Sequence, residues 1–136
     1  AKNRLARIGF DNVVGHLADP LVAMSEHADD VTTSRRVDVG ELAAELVASD
    51  EIQLVDVRQP GETANGVIDR AIEVPLTRLN ERLASLDASK RTVVYCAAGY
   101  RSSIAASRMA AAGFVDVADL LGGYGAWDAA RPTVDA

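Results

Sequence analysis

The sequence predicts an α/β fold built around a parallel sheet. Three apolar runs have the length of a strand, and segments of helical periodicity lie between them; the runs are EIQLVDV (51–57), RTVVYC (91–96) and FVDVADL (114–120). This alternation implies crossover connections between parallel strands. With 136 residues, 49% of them hydrophobic, the chain is long enough to bury a core of one domain.

The first half of the pattern contains a helix, a strand and a turn. Residues 37–49 (VDVGELAAELVAS) predict a helix with one apolar face, made of Leu42, Ala43, Leu46 and Val47. The strand 51–57 follows, and QPGETANG (59–66) then supplies the proline, glycines and asparagine of a turn.

The second half repeats the alternation. AIEVP (71–75) predicts a short strand, and a helical stripe of core leucines follows at positions 76, 79, 83 and 86. After the strand 91–96, a helix is predicted over 101–112 and ends at Gly113. The strand 114–120 leads into GGYGAW (122–127), a turn that enters a last short helix and carries Trp127 as a core or lid aromatic.

Three regions differ in character: residues 1–17, 18–36 and 37–136. The middle one mixes charge, Ser and Thr without periodicity and is predicted to be a linker. Residues 4–17 share 6 of 14 positions with residues 108–121 at an offset of 104. We therefore expect 1–17 to be the tail of a preceding domain, the alternative being an unrelated helix-glycine-strand segment.

Charge and composition exclude several classes of function. A formal net charge of -6, with 14 scattered basic residues, argues against nucleic acid and favours small molecules or proteins as partners. A lone cysteine cannot form an internal disulfide, and no apolar run approaches the roughly 20 residues of a membrane span. The start of the chain lacks the apolar region of a signal peptide, so we expect a cytoplasmic protein without membrane contact.

The lone cysteine stands where a ligand site is expected. Cys96 ends a predicted strand, and ligands of parallel sheets bind at the carboxyl ends of the strands. The small residues 97–99 leave the backbone free to curl around the sulfur, and the next helix directs its N–H groups and dipole into the loop. Arg101 adds a positive charge. The loop is therefore suited to an anion on or near sulfur, whereas an inert buried thiol is the alternative.

Cysteine phosphatases offer a competing interpretation of this loop. Their phosphate cradle has the spacing C-x5-R, but here Arg101 follows Cys96 by five positions and Ser102 occupies the sixth. The shorter loop makes a smaller ring of amides, which suits one sulfur atom better than a tetrahedral phosphate.

Four motifs in this order resemble the rhodanese-type sulfurtransferase domain. They are LVDVRQPGE (54–62), GVIDRAIEVPL (66–76), CAAGYRSSIAASRMAAAGF (96–114) and LLGGYGAW (120–127), and the resemblance covers about residues 37–132. It implies a five-stranded parallel sheet flanked by helices on both faces. The family commonly has G-H-I-P-G-A where this chain has GVIDRA (66–71), a departure that we interpret as structural.

The resemblance also implies the site residues and the reaction. Cys96 becomes a persulfide and carries the catalysis. Substrate-binding positions are Ala97, Ala98, Gly99, Tyr100, Arg101 and Arg58; structural positions near the site are Asp56, Glu62 and Ser102. Arg101 as a loop salt bridge, and Asp56 with Arg58 as a pair that holds the fold, are the structural alternatives.

The implied chemistry is a double displacement. Thiosulfate or a low-molecular-weight persulfide donates sulfur to Cys96, and a thiol, sulfite or cyanide accepts it, without metal or organic cofactor. His16 and His27 have no spacing of metal ligands relative to Cys96. The alternative function is a non-catalytic or regulatory interaction module of a larger sulfur-metabolism protein.

The N-terminal segment carries a second resemblance. RLARIGFDNVVGHL (4–17) is similar to the junction in fusions of a metallo-β-lactamase-fold persulfide dioxygenase with rhodanese-like units. This resemblance implies a fused or associated dioxygenase domain as a partner.

Overall fold

The computed structural model describes residues 2–6 and 11–132 and divides the chain into two compact units, which part between Thr33 and Ser34. In the first unit, α1 spans Lys2–Ala6, α2 spans Pro20–Glu26 and a 3-10 turn spans Ala28–Asp30. Helix α2 lies inside the range predicted as a linker; Asp19 caps it, accepting from the Val22 amide at 3.2 Å. The division of residues 1–36 into tail and linker stays a prediction, and residues 1 and 7–10 of the tail lie outside the described residues.

The second unit contains a five-stranded parallel sheet, as predicted. Its strands are β1 Arg35–Val37, β2 Gln53–Asp56, β3 Ile72–Glu73, β4 Arg91–Tyr95 and β5 Asp116–Leu120, and their order in the sheet is β1-β5-β4-β2-β3. The sequence did not predict β1, because only Val37 of its three residues is buried and the other two are arginines.

The helices of this unit are α3 Val39–Ala48, α4 Pro60–Thr63, α5 Leu79–Arg82, α6 Tyr100–Ala111 and α7 Gly123–Ala130. The leucine stripe does not form one helix. It is split into a 3-10 turn at Leu76–Arg78, then α5, then a 3-10 turn at Leu83–Ser85. The backbone leaves the helical region at Arg78 (φ -108°, ψ 4°) and departs from ideal α-helical angles at Arg82 (φ -102°, ψ -9°). Leu76, Leu79 and Leu86 are nevertheless buried as expected.

The main core lies where α3 and α7 cover one face of the sheet. Leu42 and Leu46 of α3 pack there with Tyr95 of β4 and Trp127 of α7, so Trp127 is a core residue. The prediction for Val47 was wrong: it is 48% exposed, because it lies at the margin of the apolar stripe. Helix α6 packs on β4 and β5.

Candidate active site

Cys96 lies directly after the central strand of the sheet. Strand β4 has neighbours on both sides, so its four buried residues from position 92 onward hold the start of the loop rigidly. Cys96 itself is 2% exposed. The sequence-based prediction that the thiol stands at a carboxyl strand end is therefore matched by its position in the fold.

The loop backbone turns inward around the sulfur. The Gly99 amide donates to Cys96 Sγ at 3.1 Å, and Gly99 reaches this position with a left-handed φ of 103°. Gly99 is also the N-cap of α6, which begins at Tyr100. The unpaired N–H groups of a 12-residue helix therefore start at the sulfur.

Ser102, in the first turn of α6, completes the surroundings of the thiol. Its Oγ lies 3.6 Å from Cys96 Sγ and donates to the Gly99 carbonyl at 3.0 Å. Burial alone would raise the pKa of Cys96. The Ser102 hydroxyl and the amides of Ser102, Ala98 and Gly99 outweigh burial, so the pKa is lowered from its ordinary value.

Arg101 is clamped by Glu62 of α4. Arg101 Nη1 donates to Glu62 Oε2 at 2.7 Å and Nη2 donates to Oε1 at 2.6 Å, a bidentate pair. The hydrogen bonds from Arg101 are the main reason why the pKa of Glu62 falls to about 2. Glu62 raises the pKa of Arg101 in turn, and the nearby Cys96 adds a smaller contribution of the same sign. Glu62 thus largely neutralises the positive charge of Arg101 that the sequence predicted for the loop. The ion pair also connects α4 to the cysteine loop.

Asp56 and Arg58 form a buried ion pair at the end of β2. Arg58 Nε lies 3.0 Å from both oxygens of Asp56, and Arg58 Nη2 donates to Asp56 Oδ2 at 2.6 Å and to the Gly66 carbonyl at 2.7 Å. The guanidinium carbon lies 4.0 Å from the centre of the Tyr124 ring. This position does not fit the predicted substrate-binding role of Arg58, because its side chain is 4% exposed and its donors are directed into the protein.

The remaining loop residues connect Cys96 to the start of α6. Ala97 and Gly99 are half-buried, Ala98 is exposed, and Tyr100 is 71% exposed. The side chains at 97–99 are small, and the Tyr100 ring at the start of α6 is exposed.

The sequence analysis missed the contribution of GGYGAW. The N-terminal amides of α7 dock onto the cysteine loop: Tyr124 N–H donates to the Cys96 carbonyl at 2.7 Å and Gly125 N–H donates to the Ala97 carbonyl at 3.0 Å. Gly123 allows this approach, since a Cβ there would lie 2.2 Å from the Cys96 carbonyl oxygen. The signal was present in the paired glycines, which mark a close backbone contact.

Tyr124 lies in the fourth sequence motif and contacts the other three. Its amide holds the cysteine loop, its ring covers Arg58, and it stacks with Tyr95 at a centroid distance of 6.4 Å. A Cβ on Gly66 would lie 2.4 Å from the Tyr124 hydroxyl oxygen, so the turn after α4 also packs against this residue. The four motifs therefore meet at one residue.

Metal and membrane features were searched over residues 2–6 and 11–132. In that part of the chain, no group of three or more His, Cys, Asp or Glu side chains is placed to hold a metal ion. None of the described helices combines the length and apolarity needed to cross a membrane.

Comparison with known proteins connects this geometry to one family. A family model for the rhodanese-like domain matches residues 38–130. A protein named sulfurtransferase from Allochromatium vinosum is 32% identical over 91 residues, which cover 67% of this chain and 85% of that protein. A thiosulfate sulfurtransferase named GlpE from Coxiella burnetii is 34% identical over 94 residues, covering 69% of this chain and 88% of that protein.

Solved structures agree with the sequence relatives. The crystal structure of a rhodanese-like domain protein from Staphylococcus aureus superposes with a TM-score of 0.64 at 32% identity, over 68% of this chain and 90% of that one. A rhodanese-related protein from Thermoplasma volcanium gives a TM-score of 0.66 at 26% identity, over 74% and 99% of the two chains.

Proposed function

The chain belongs to the rhodanese-like domain family, and from that membership we propose that it is a sulfurtransferase whose sulfur carrier is Cys96. Sulfurtransferase activity in general is supported by the names of its relatives at 30 to 34% identity. Thiosulfate as a donor is supported by the name of the Coxiella burnetii relative. Low-molecular-weight persulfides are the alternative donors, and thiols, sulfite or cyanide are the acceptors.

The observation that carries the proposal is the Cys96 sulfur among inward-facing amides. The thiolate attacks the outer sulfur of thiosulfate, the new Sγ–S bond forms, and the old S–S bond breaks with its electron pair leaving on sulfite. The acceptor then attacks the outer sulfur of the Cys96 persulfide, and the pair of the breaking bond returns to Sγ. Both states of Cys96 are anionic, so the Gly99 amide and the start of α6 favour them throughout.

Arg101 contributes mainly by linking the cysteine loop to α4, because its charge is not free to act on the sulfur. Glu62 balances it, which leaves the amides as the principal anion-stabilising groups around Sγ. Substrate contact by Ala97, Ala98, Gly99, Tyr100 and Arg101 remains part of the proposal, supported by their place around the sulfur. Asp56 and Arg58 hold the neighbouring strand end.

The decisive experiment is intact mass spectrometry after incubation with thiosulfate, and separately with glutathione persulfide. We expect the mass of one added sulfur atom, which cyanide or a thiol removes again, and no adduct in Cys96→Ser. An unmodified wild-type protein with every sulfane donor would contradict the proposal and favour a non-catalytic interaction module.

Two finer predictions from the sequence complete the proposal. The first is a location in the cytoplasm. The second is association with a persulfide dioxygenase domain, which is supported by the resemblance of residues 4–17 to the junction of such fusions. Faster persulfidation of Cys96 by glutathione persulfide than by thiosulfate would support this association, and a clear preference for thiosulfate would count against it.

A further inference from the structure

A buried carboxyl group that the sulfur chemistry does not use lies on the strand next to Cys96. Asp119 is the second-last residue of β5 and is 1% exposed. Among the residues that the structure describes, none forms a hydrogen bond with its Oδ1 atom. Burial of a carboxylate oxygen without a hydrogen bond costs stability, so the presence of Asp119 needs a reason other than folding.

The sheet register places Asp119 close to the sulfur. Asp119 of β5 is paired with Val94 of β4, and Cys96 follows Val94 by two residues. Adjacent strands are about 4.8 Å apart and rise about 3.3 Å per residue, so the Cα atoms of Asp119 and Cys96 are separated by roughly 8 Å.

Both side chains lie on the face of the sheet that α6 covers. Side chains of a strand alternate between the two faces, and Ala118 and Leu120, the neighbours of Asp119, pack in the core with α3 and α7. Asp119 therefore lies on the opposite face, as does Cys96, whose Sγ contacts Ser102 of α6. The other buried residues of α6 are two alanines and a methionine, at positions 105, 106 and 109.

Arg36 of β1 is the counter-charge of Asp119. Its Nε lies 3.5 Å from Asp119 Oδ1, and its side chain is 56% exposed. Burial raises the pKa of Asp119 and Arg36 opposes that rise, so we expect an ionised carboxylate at neutral pH. The strand order β1-β5-β4 places Asp119 one strand from Cys96 and Arg36 two strands away. The buried negative charge is therefore the nearer one, and water screens the more distant positive charge.

Other charged residues of the surrounding elements are paired, distant or on the other face. Arg101 of α6 is held by Glu62, and Arg108 lies in the last turn of α6, at the end away from the cysteine loop. Asp116, at the start of β5, is three residues from Asp119 and so faces the opposite side of the sheet, where it takes part in ion pairs.

We propose that Asp119 is a positioning residue of the active site, which acts through Cys96 without touching substrate: its buried negative charge opposes negative charge on the sulfur and limits how tightly the loop holds the thiolate and an anionic donor. The inference rests on the proposed sulfurtransferase function. The amides at the start of α6 stabilise the anion, whereas a sulfur carrier must also release what it binds, because catalysis gains only from contacts that strengthen in the transition state. Asp119 counterbalances the amides.

The test removes the charge of Asp119 and keeps the shape of its side chain. The rate at which iodoacetamide alkylates Cys96, the one cysteine of the chain, is measured against pH for wild type, Asp119→Asn and Asp116→Asn. Asp116→Asn is the matched control, because it removes the same charge from the same strand at a Cα distance of about 17 Å from Cys96. KM for thiosulfate and urea unfolding are measured for the same proteins.

We expect the alkylation profile of Asp119→Asn to move down by about half a pH unit to one pH unit, the effect of one partly screened charge at this distance. KM for thiosulfate should fall about 3- to 10-fold, the factor that corresponds to this shift. Stability in urea should not decrease, since the Arg36 that loses its partner is exposed to water. The profile and the KM of Asp116→Asn should match those of wild type.

A second measurement leaves Asp119 in place. Cys96 is alkylated with iodoacetate, which adds a negative charge, or with iodoacetamide, which adds a neutral group of similar size. Because coupling between two sites is reciprocal, the Asp119 carboxyl group, followed by carbon NMR, should titrate at higher pH in the iodoacetate product. This measurement decides the question if Asp119→Asn does not fold.

Superimposable alkylation profiles of wild type and Asp119→Asn would overturn the inference, as would equal titration of Asp119 in the two alkylated proteins. An equal shift in Asp116→Asn would also overturn it, because the net charge of the chain would then be responsible. So would a loss of stability with an unmoved profile, which would make Asp119 a structural partner of Arg36. Alkylation does not require sulfur transfer, so absence of transfer to cyanide in wild type would instead mark the failure of the proposed function.

Discussion

Gly123→Ala tests whether the start of α7 holds the cysteine loop in place. An added Cβ would lie 2.2 Å from the Cys96 carbonyl oxygen and 2.9 Å from backbone atoms of Ala97 and Ala98. All three atoms belong to the backbone, so no side chain can move aside. Carbon and oxygen need more than 3 Å, and the loop must therefore retreat by roughly 1 Å or more.

The expected cost has two parts. The retreat breaks the hydrogen bonds of 2.7 and 3.0 Å that α7 donates to the loop, a loss of about 1 kcal/mol each. Alanine at the left-handed φ of 59° costs about 1–2 kcal/mol more. We therefore expect Gly123→Ala to lower the free energy of unfolding by about 3–4 kcal/mol.

Gly113→Ala is the matched control. Gly113 also has a positive φ, 94°, but its added Cβ would meet no atom within 4 Å. It should therefore show only the conformational cost of about 1–2 kcal/mol. Urea unfolding of the two variants should differ by about 2 kcal/mol, which isolates the docking of α7 on the loop.

Reactivity of Cys96 provides the second assay. The retreat moves the Gly99 amide away from Sγ, so iodoacetamide at neutral pH should alkylate Gly123→Ala more slowly than Gly113→Ala. If the two variants unfold at the same urea concentration and alkylate at the same rate, the reasoning about α7 is refuted.

Three further predictions concern the polar contacts of the site. Ser102→Ala should raise the pKa of Cys96 and move the pH profile of alkylation upward, since the hydroxyl is the strongest of the groups that lower this pKa; superimposable profiles would contradict this. Glu62, with its pKa held at about 2 chiefly by Arg101, stabilises the fold above its ordinary pKa of 4.5 and loses this contribution as the pH falls towards 2. Glu62→Gln should therefore flatten the loss of stability between those pH values in acid unfolding, and an equally steep loss would refute the role of the pair. Asp56→Asn leaves a buried guanidinium without its counter-charge and should cost about 3–5 kcal/mol in urea unfolding, whereas a loss below about 1 kcal/mol would show that the pair is dispensable.

The sequence predicted the parts of the site that depend on local patterning. The short, continuous apolar run before Cys96, rich in β-branched residues, forms a strand because a parallel sheet buries both of its faces, and the small residues after it leave the backbone free. Helix α6 begins one residue before the predicted position. These features arise within a few residues of the cysteine, so one stretch of sequence contains them.

The contacts between distant segments could not be predicted in the same way. The pairing of Arg101 with Glu62 joins positions 39 residues apart, and nothing in either segment specifies the partner. The burial of Arg58 depends on Tyr124, which comes from the far end of the domain. The motif alone therefore led to the prediction that Arg58 binds substrate. In the fold, its guanidinium donates to Asp56 and to the Gly66 carbonyl.

Arg70 shows how a departure from a family motif is absorbed. It occupies the second glycine position of the common G-H-I-P-G-A motif and adopts a left-handed φ of 64°, at a cost of about 1 kcal/mol for a residue with a Cβ. Its guanidinium pairs with Asp50 and donates to the Leu46 carbonyl at 3.0 Å, contacts that offset this cost. The left-handed turn at position 70 is therefore formed by an arginine whose side chain is held by the Leu46 carbonyl of α3 and by Asp50.

In the proposed reaction, the charge pattern around Cys96 explains how one loop can serve two anionic states. The two arginines nearest the site are each neutralised by a carboxylate, Arg101 by Glu62 and Arg58 by Asp56. A free guanidinium beside the sulfur would hold the persulfide strongly and raise the barrier to passing its sulfur on, because catalysis gains only from contacts that strengthen in the transition state. Amide dipoles favour thiolate and persulfide alike, so neither state is trapped.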